Sequence, residues 1–413
     1  MGEEEAYKYV LGTLSRERII PYSLHESEVV RSVEACMNCG ICLGHCPVVA
    51  AVGVDRFSGP RSIAVELSRS PPEFWSTGDK VYLCTGCGTC REVCPKKVDI
   101  PEVVNIVRAR LFATRPDLVP RALHGLRETI EQHALAFTPW DDPEEKAESR
   151  DMHLEHHSLP YIPDRTSSGA KVLYYPGCQA EERSQEVREA AKLILHHFGV
   201  DYSVMDEMSC CGLPSRLMGD RMNAERLAET VRQKALAVKA EMIVTTCAGC
   251  TSNLTDMSTQ RHWGLPVYHI IEFLVEQIGL GRVISELSRR AAGSDTLRLA
   301  VHDPCHLIRH VSRRVSEYAL DILDGIPGVE VVRTGVSDSC CGGGGLVAHH
   351  SRDVADAVTV ENAVGIMKCG ADRVVAPCPL CTSQIEDSLF KAGSSVQVDD
   401  LTVFIATRLP LRR

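Results

Sequence analysis

Eighteen of the nineteen cysteines fall into four sets, two reading C-x2-C-x2-C-x3-C-P and two reading Cys, then Cys-Cys-Gly, then C-x2-C. The first two sets are Cys36, Cys39, Cys42 and Cys46 before Pro47, and Cys84, Cys87, Cys90 and Cys94 before Pro95. A thiolate every third residue lets a tight loop hold three corners of an iron–sulfur cubane, and in two-cluster sites the fourth cysteine, before proline, ligates the other cluster. The spacing therefore predicts one [4Fe–4S] cubane on Cys36, Cys39, Cys42 and Cys94 and a second on Cys84, Cys87, Cys90 and Cys46. Zinc needs two C-x2-C pairs set apart by a finger or ribbon, which this spacing is not. The chemistry implied is one-electron transfer.

The other two sets are Cys178, Cys210, Cys211, Cys247 and Cys250, and Cys305, Cys340, Cys341, Cys378 and Cys381. Five thiolates exceed what one cubane needs. Adjacent cysteines cannot both aim at one face of an ideal cube without a sharp turn, and Gly212 and Gly342, which follow each pair, can supply it by taking positive φ. Spacing alone points to a metal–sulfur site of unusual shape in each copy.

Positioning these residues requires a particular set of elements. Between Cys46 and Cys84 lie 37 residues, too many for a minimal two-cluster fold, and Ile63, Ala64 and Leu67 sit there at helical spacing. Asp99 can cap a helix with Pro101 in its first turn and Val103, Ile106, Val107 and Leu111 on one apolar stripe. Residues 1–125 thus read as an α-helical ferredoxin domain. Thr138 to Ala170 is rich in charge, proline and histidine without apolar period, so 126–169 reads as a linker or wrapping segment. The remainder is a duplication: Cys178 to Cys305 is an offset of 127 residues, Cys210 to Cys340 of 130, and Cys247 to Cys378 of 131. Each copy shows three apolar strands alternating with helical patterns: Lys171–Cys178, Asp201–Met205 and Met242–Cys247, then Leu297–Cys305, Val329–Arg333 and Arg373–Cys378. The fold class predicted is α/β, with two duplicated domains at 170–290 and 291–413 behind the helical one. Cysteines just past the carboxyl ends of parallel strands stand where open α/β sheets hold their ligands.

The segments CMNCGICLGHCP, CTGCGTCREVCPKKVDIPEV, YYPGC, SCCGLP, CAGC, HDPCH, SCCGGGG and CPLC resemble heterodisulfide reductase, in the form whose ferredoxin-like part is fused to two Cys-Cys-Gly domains. That resemblance implies a noncubane [4Fe–4S] cluster on each five-cysteine set, both facing a cleft where a small-molecule disulfide of the CoB–CoM type is split or formed. It implies electron supply through the two cubanes from a redox partner, a membrane cytochrome b or a flavoprotein. Iron–sulfur subunits of membrane-linked, FAD-dependent glycolate or lactate dehydrogenases and glycerol-3-phosphate dehydrogenases share the architecture, which leaves an electron-relay role as the alternative. This chain keeps all ten Cys-Cys-Gly ligands, which favours the reductase, an enzyme acting on sulfur groups.

Smaller features are weighed against plainer readings. His302, Asp303 and His306 flank Cys305, and His306 is the preferred proton donor for a departing thiolate, with His302 ranked behind it. Gly342 and Gly343 open a glycine run that can bring backbone amides to a cluster, and it is expected to leave more room there than Leu213 and Pro214 do in the first copy. Cys369, the unmatched cysteine, reads as a small buried hydrophobe. His153, His156 and His157 read as solvated linker rather than metal ligands. No dinucleotide fingerprint follows a strand, so neither flavin nor NAD is expected on this chain. A net charge of −10 and a pI near 5.9 argue against nucleic acid as a partner. No apolar run reaches the ~18 residues that span a bilayer, so no direct membrane insertion is expected. Glu3 to Glu5 do not suit a signal peptide, and so many neighbouring thiols suit a reducing cytoplasm, with any membrane association reached through a partner.

Overall fold

Short β-branched runs that alternate with amphipathic helices can pair only in parallel, because a crossover helix returns the chain to the same end of the sheet. The computed structural model describes residues 24–69, 74–289 and 296–410, with the isolated positions 5, 8 and 9. Strands β1 (Val172–Tyr175), β2 (Tyr202–Val204), β3 (Met242–Thr245) and β4 (Val267–His269) form one sheet in the order β2-β1-β3-β4. Strands β5 (Leu297–Val301), β6 (Val329–Val332), β7 (Arg373–Ala376) and β8 (Gln397–Asp400) repeat it as β6-β5-β7-β8. All pairings are parallel, with Val172 opposite both Tyr202 and Met242, and Leu299 opposite both Val331 and Arg373.

Sequence periodicity gives three strands per copy, and the structure adds β4 and β8. Each is too short and too polar to stand out, and each ends in a residue that caps the next helix. His269 accepts the Ile271 N–H at 3.3 Å, and Asp400 accepts the Thr402 N–H at 2.7 Å. The apolar run at Ile270–Leu280 is a short helix continued by a π-helical turn, Leu274–Gly279. Among the described residues no helix is long and apolar enough to cross a membrane.

The described part of 24–125 contains helices and no strand. Its principal helix, α1 (Ile100–Thr114), begins as the capping pattern requires, with Asp99 accepting the Glu102 N–H at 3.3 Å and Pro101 in the first turn. Val103, Ile106, Val107 and Leu111 are buried. Residues 126–169 are not an unstructured linker. They contain the end of the helix Arg121–His133 and the whole of α2, Pro143–His157. Asp142 caps α2 through the Glu144 N–H at 2.8 Å, Glu144 and Glu145 sit in its first turn and His156 and His157 in its last, which suits the helix dipole. Only Leu154 of α2 is buried, so no apolar period marks it. Polar contacts hold it instead: Lys146 reaches Glu181 and Glu182 at 2.8 and 3.1 Å, and His153 pairs with Glu186 at 2.8 Å. The boundary at 290/291 lies outside the described residues, as do Glu3 and Glu4.

Arg108, on α1, is 0% exposed. Its guanidinium donates to the carbonyls of Val81, Tyr82 and Cys84 in the helical domain at 3.0, 3.2 and 2.7 Å, to Leu217 of the first α/β copy at 3.2 Å, and to Gly345 of the second at 3.4 Å. One side chain thus joins all three parts of the chain. Arg108→Met is expected to lower unfolding free energy by about 3 kcal/mol, since it strands several buried carbonyls. Arg108→Lys should recover little of that, because an ammonium lacks the planar fork. Denaturant titration of the three proteins checks this, and a Lys variant as stable as the parent would contradict it.

Candidate iron–sulfur sites and the grooves beside them

Each C-x2-C-x2-C loop of the helical domain runs into a one-turn helix, Ile41–Gly44 or Thr89–Glu92, which turns successive thiols toward a common point. Cys36, Cys39, Cys42 and Cys94 line one small void, and Cys84, Cys87, Cys90 and Cys46 line a second. The grouping is crossed, with each distant cysteine facing the other loop's trio. Burial pushes the Cys46 thiol up to about 12, and burial together with the charges of Cys36 and Cys94 raises Cys42. Thiols so crowded are poor acids by themselves and become good ligands when a metal takes their charge. The first set is open to the surface, with Cys39 exposed beside Met37 and Ile41, whereas Cys46 and Cys87 of the second are buried.

In the α/β copies, Cys178 opens α3 (Cys178–Glu182) past the end of β1, and Cys247 caps α4 (Ala248–Gln260) past β3. Cys305 opens α5 (Cys305–His310) past β5, and Cys378 caps α6 (Pro379–Lys391) past β7. Gly212 and Gly342 make the Cys-Cys turn at φ +91° and +81°; a Cβ on either would collide with a helix carbonyl, that of Ala224 or Ala355. Their N–H groups point at Cys210 and Cys340 Sγ, at 3.5 and 3.4 Å. Beyond the turn each thiol has a further partner of its own: Cys210 meets Cys178 as well as its neighbour Cys211, Cys211 also meets Cys250, and Cys340 meets Cys305 while Cys341 meets Cys381 at 3.3 Å. Buried Asn253 and Asn362 fix the turns by donating to the Cys211 and Cys340 carbonyls at 2.8 and 2.9 Å.

The two histidines near Cys305 separate in space. His302 is buried, neither ring nitrogen makes a hydrogen bond, and a ring nitrogen lies within 4.8 Å of both Cys341 and Cys381 Sγ. The hydrogen bond with Cys381 and the nearby His302 ring hold the Cys341 thiol down to about 5 against its burial. Sequence reasoning ranks His302 second because strand ends are common places for packing histidines; its position at the carboxyl end of central strand β5 is the signal that points to it. His306 faces away from this group toward Gly86 of the helical domain, with its ring 4.9 Å from that of His310. Burial, then His310, pushes His306 down to about 3, and its Nδ1 makes no hydrogen bond.

The four cysteine sets stand in a row. Cys42 lies near enough to Cys90 to raise its pKa, Cys87 meets Cys340, and Cys378 meets Cys247 across the two copies. The glycine run serves the second of these contacts: a Cβ on Gly345 would collide with the Cys84 carbonyl, and one on Gly344 would stand 2.5 Å from that of Thr85. The room expected beside this site is therefore occupied by the helical domain's own cysteine loop. Gly343 has an ordinary φ of −75°, and a Cβ there would lie 3.7 Å from Cys341 Sγ.

Duplication creates two equivalent junctions between the copies, α4 against α5 and α6 against α3. The helical domain covers the first, with Gly86, Arg91 and Glu102 closing a cavity of about 200 Å³ that also holds Arg216, His306 and His310. The second is an open groove of about 920 Å³, walled by α6, the β7–β8 region, the start of the helix Gln185–His197, and α2.

These donor sets suit iron–sulfur clusters. The crossed quartets surround small voids, and the buried His302 nitrogens beside converging thiols have no hydrogen-bond partner among the described residues. Comparison with known proteins agrees. Residues 32–98 match the 4Fe-4S dicluster domain, and residues 172–255 and 299–386 match the cysteine-rich domain named CCG. The chain is 28% identical over 386 residues to one subunit of the fumarate reductase (CoM/CoB) of Methanothermobacter marburgensis, covering 91% of this chain and 72% of that protein. It is 25% identical to one subunit of the dihydromethanophenazine:CoB–CoM heterodisulfide reductase of Methanosarcina barkeri, covering 92% and 94%. A probable glycolate oxidase iron–sulfur subunit of Bacillus subtilis is 21% identical, covering 88% and 90%. Among solved structures, a glutamate racemase from Francisella tularensis overlaps 58% of this chain and 79% of its own at 12% identity and a TM-score of 0.27, which bears on neither fold nor function. The chain is an iron–sulfur oxidoreductase subunit related to that of heterodisulfide reductase.

If Cys94 serves the first quartet, Cys94→Ala should perturb the electron paramagnetic resonance signal of the cluster on Cys36, Cys39 and Cys42 and spare that on Cys84, Cys87 and Cys90. A loss confined to the latter would reverse the assignment.

Proposed function

We propose that this chain is the catalytic subunit of a reductase that cleaves, or in reverse forms, a small-molecule disulfide, with two cubanes on the crossed quartets and a noncubane [4Fe–4S] cluster on each five-cysteine set. The observation that carries the reading is that both five-cysteine sets are complete and meet at Cys247 and Cys378, so two sulfur-binding centres stand side by side at one junction. When bound, such clusters supply one-electron storage and iron able to accept a thiolate sulfur. The reaction balances as one S–S bond broken, two electrons and two protons taken up, and two thiols released.

The chain's own residues have separable tasks. Gly212 and Gly342 shape the turns that carry the paired cysteines, and the Gly342 and Gly343 amides present N–H groups to Cys340 and Cys341. His302 polarises Cys341. His306, uncharged at neutral pH, near Cys378 and with no hydrogen bond at Nδ1 among the described residues, relays a proton from the smaller cavity toward a leaving thiolate. The first quartet, open to the surface at Cys39, receives electrons from a redox partner, a cytochrome b or a flavoprotein. A second reading, the electron-relay subunit of a FAD-dependent 2-hydroxyacid dehydrogenase, draws support from the likeness to the glycolate oxidase subunit.

Anaerobically purified protein should hold about sixteen irons per chain, four per cluster; about eight would leave the five-cysteine sets empty. With reduced methyl viologen as donor, Cys211→Ala and Cys341→Ala should each abolish disulfide reduction while the cubanes stay reducible. Near-normal turnover in either variant would favour the relay. His306→Gln should slow turnover by about tenfold to a hundredfold and enlarge the solvent isotope effect, leaving iron content unchanged; parent-like kinetics would remove it from the mechanism.

A further inference from the structure

The open groove is the copy-exchanged equivalent of the junction that the helical domain fills. In both, the helix after a C-x2-C turn faces the helix begun by the other copy's first cysteine. One junction admits the electron-supplying domain. The other stays open, and at its inner end Pro379, inside the Cys378–Cys381 turn, lines the wall together with Ser184, just beyond the helix that Cys178 begins. At about 920 Å³ it falls at the upper end of the ~300–1,000 Å³ typical of small-molecule sites.

Its charges are unevenly matched. Arg373 pairs with Asp399 at 2.7 Å and His153 with Glu186 at 2.8 Å, so these four largely satisfy one another. Glu386 has no ion-pair partner among the described residues, and loss of water, then the nearby charges of Glu186 and Asp399, raises its pKa. Exposed Arg183, which also lines the groove, has no ion-pair partner among the described residues; it makes a 3.5 Å contact with the Glu182 carbonyl and lies over the Phe137 ring at 5.6 Å. Asp400 is 3% exposed, and its Oδ2 makes no hydrogen bond on the groove wall. These groups are too dispersed for one metal ion: among the described residues the trio whose ligand atoms lie within 4.8 Å of one another is His302, Cys341 and Cys381, outside the groove.

We infer that this groove binds a zwitterionic, amino-acid-derived ligand, with Glu386 receiving its ammonium and Arg183 its carboxylate. Resting on the reductase reading above, the substrate class is then an amino-acid-type disulfide rather than a polyanionic one.

The test uses the full-length cluster-loaded chain, reduced methyl viologen and three disulfides at neutral pH: cystine, dicationic cystamine and dianionic 3,3′-dithiodipropionate. Cystine should have the highest kcat/KM, by about tenfold, roughly the worth of one ion pair in a partly desolvated cleft. Glu386→Gln should penalise cystine and cystamine more than dithiodipropionate, and Arg183→Gln should penalise cystine and dithiodipropionate more than cystamine. Preference for dithiodipropionate in the parent, or variants that depress all three equally, would overturn the inference. Should none be reduced, the reductase reading falls, and calorimetric titration with cystine decides the groove separately. Binding weakened by either variant sustains the assignment, and absence of binding ends it.

Discussion

Every cysteine set in this protein depends on how the helical domain and the two α/β copies are locked together, and the lock is a buried arginine. Arg108 satisfies backbone carbonyls from the helical domain and from both α/β copies, and one of those carbonyls belongs to Cys84 itself. A guanidinium is suited to this because it stays charged when buried and offers several donors in a fixed plane. Tyr82 reinforces the same seam, its hydroxyl donating to the Met218 carbonyl at 3.1 Å while its own carbonyl meets His350 Nε2 at 3.0 Å. Apolar packing is continuous across the seam as well, with Val81, Leu217 and Leu346 in one core. Electron transfer demands fixed distances between centres, and a seam of backbone bonds and shared core holds those distances better than a flexible linker would.

Duplication fixes the remaining geometry. Two parallel sheets of the same strand order each present a five-cysteine site at the carboxyl ends of their strands, and the copies meet with those ends together. Such an arrangement makes the two junctions equivalent until something breaks the equivalence. The helical domain does so, and the copies differ where it touches them. The second copy carries Gly344 and Gly345, which admit the backbone of Cys84 and Thr85, whereas the first carries Leu213 and Pro214, which begin a helix. The glycines therefore serve approach between domains, and Gly342 alone carries the φ that the Cys-Cys turn requires.

Much of this is legible in the sequence, because cysteine spacing and strand-helix alternation are strong, local signals. The helical cap at Asp99, the offsets between copies and three strands of each sheet all lie within reach of such reasoning. What escapes it is set by tertiary context. Strands β4 and β8 are three and four residues long and gain their identity from pairing with β3 and β7. Helix α2 has one buried side chain, so a periodicity argument has nothing to find, yet capping and ion pairs fold it. His302 and His306 are four residues apart and chemically identical in sequence; only the end of β5 and the turn of α5 decide which of them meets the thiols.

The histidines of α2, which read as solvated linker, show where sequence reasoning about such proteins is weakest. Cluster ligands must converge within a few ångströms, so their types and spacings are constrained and visible. Groups that recognise a soluble ligand are spread over a groove about 920 Å³ in volume and come from separate stretches of chain. Each looks in sequence like a solvated side chain of no special note: Arg183 one residue past a short helix, Glu386 on the outer face of another, His153 in a charged segment. They acquire meaning together, because the fold leaves this junction open while its twin is filled, and because Glu386 and Arg183 have no ion-pair partner among the described residues beside the Arg373–Asp399 and His153–Glu186 pairs. Electron-carrying chemistry is thus written in the motif, while the choice of what receives the electrons lies in residues that only the assembled groove brings together.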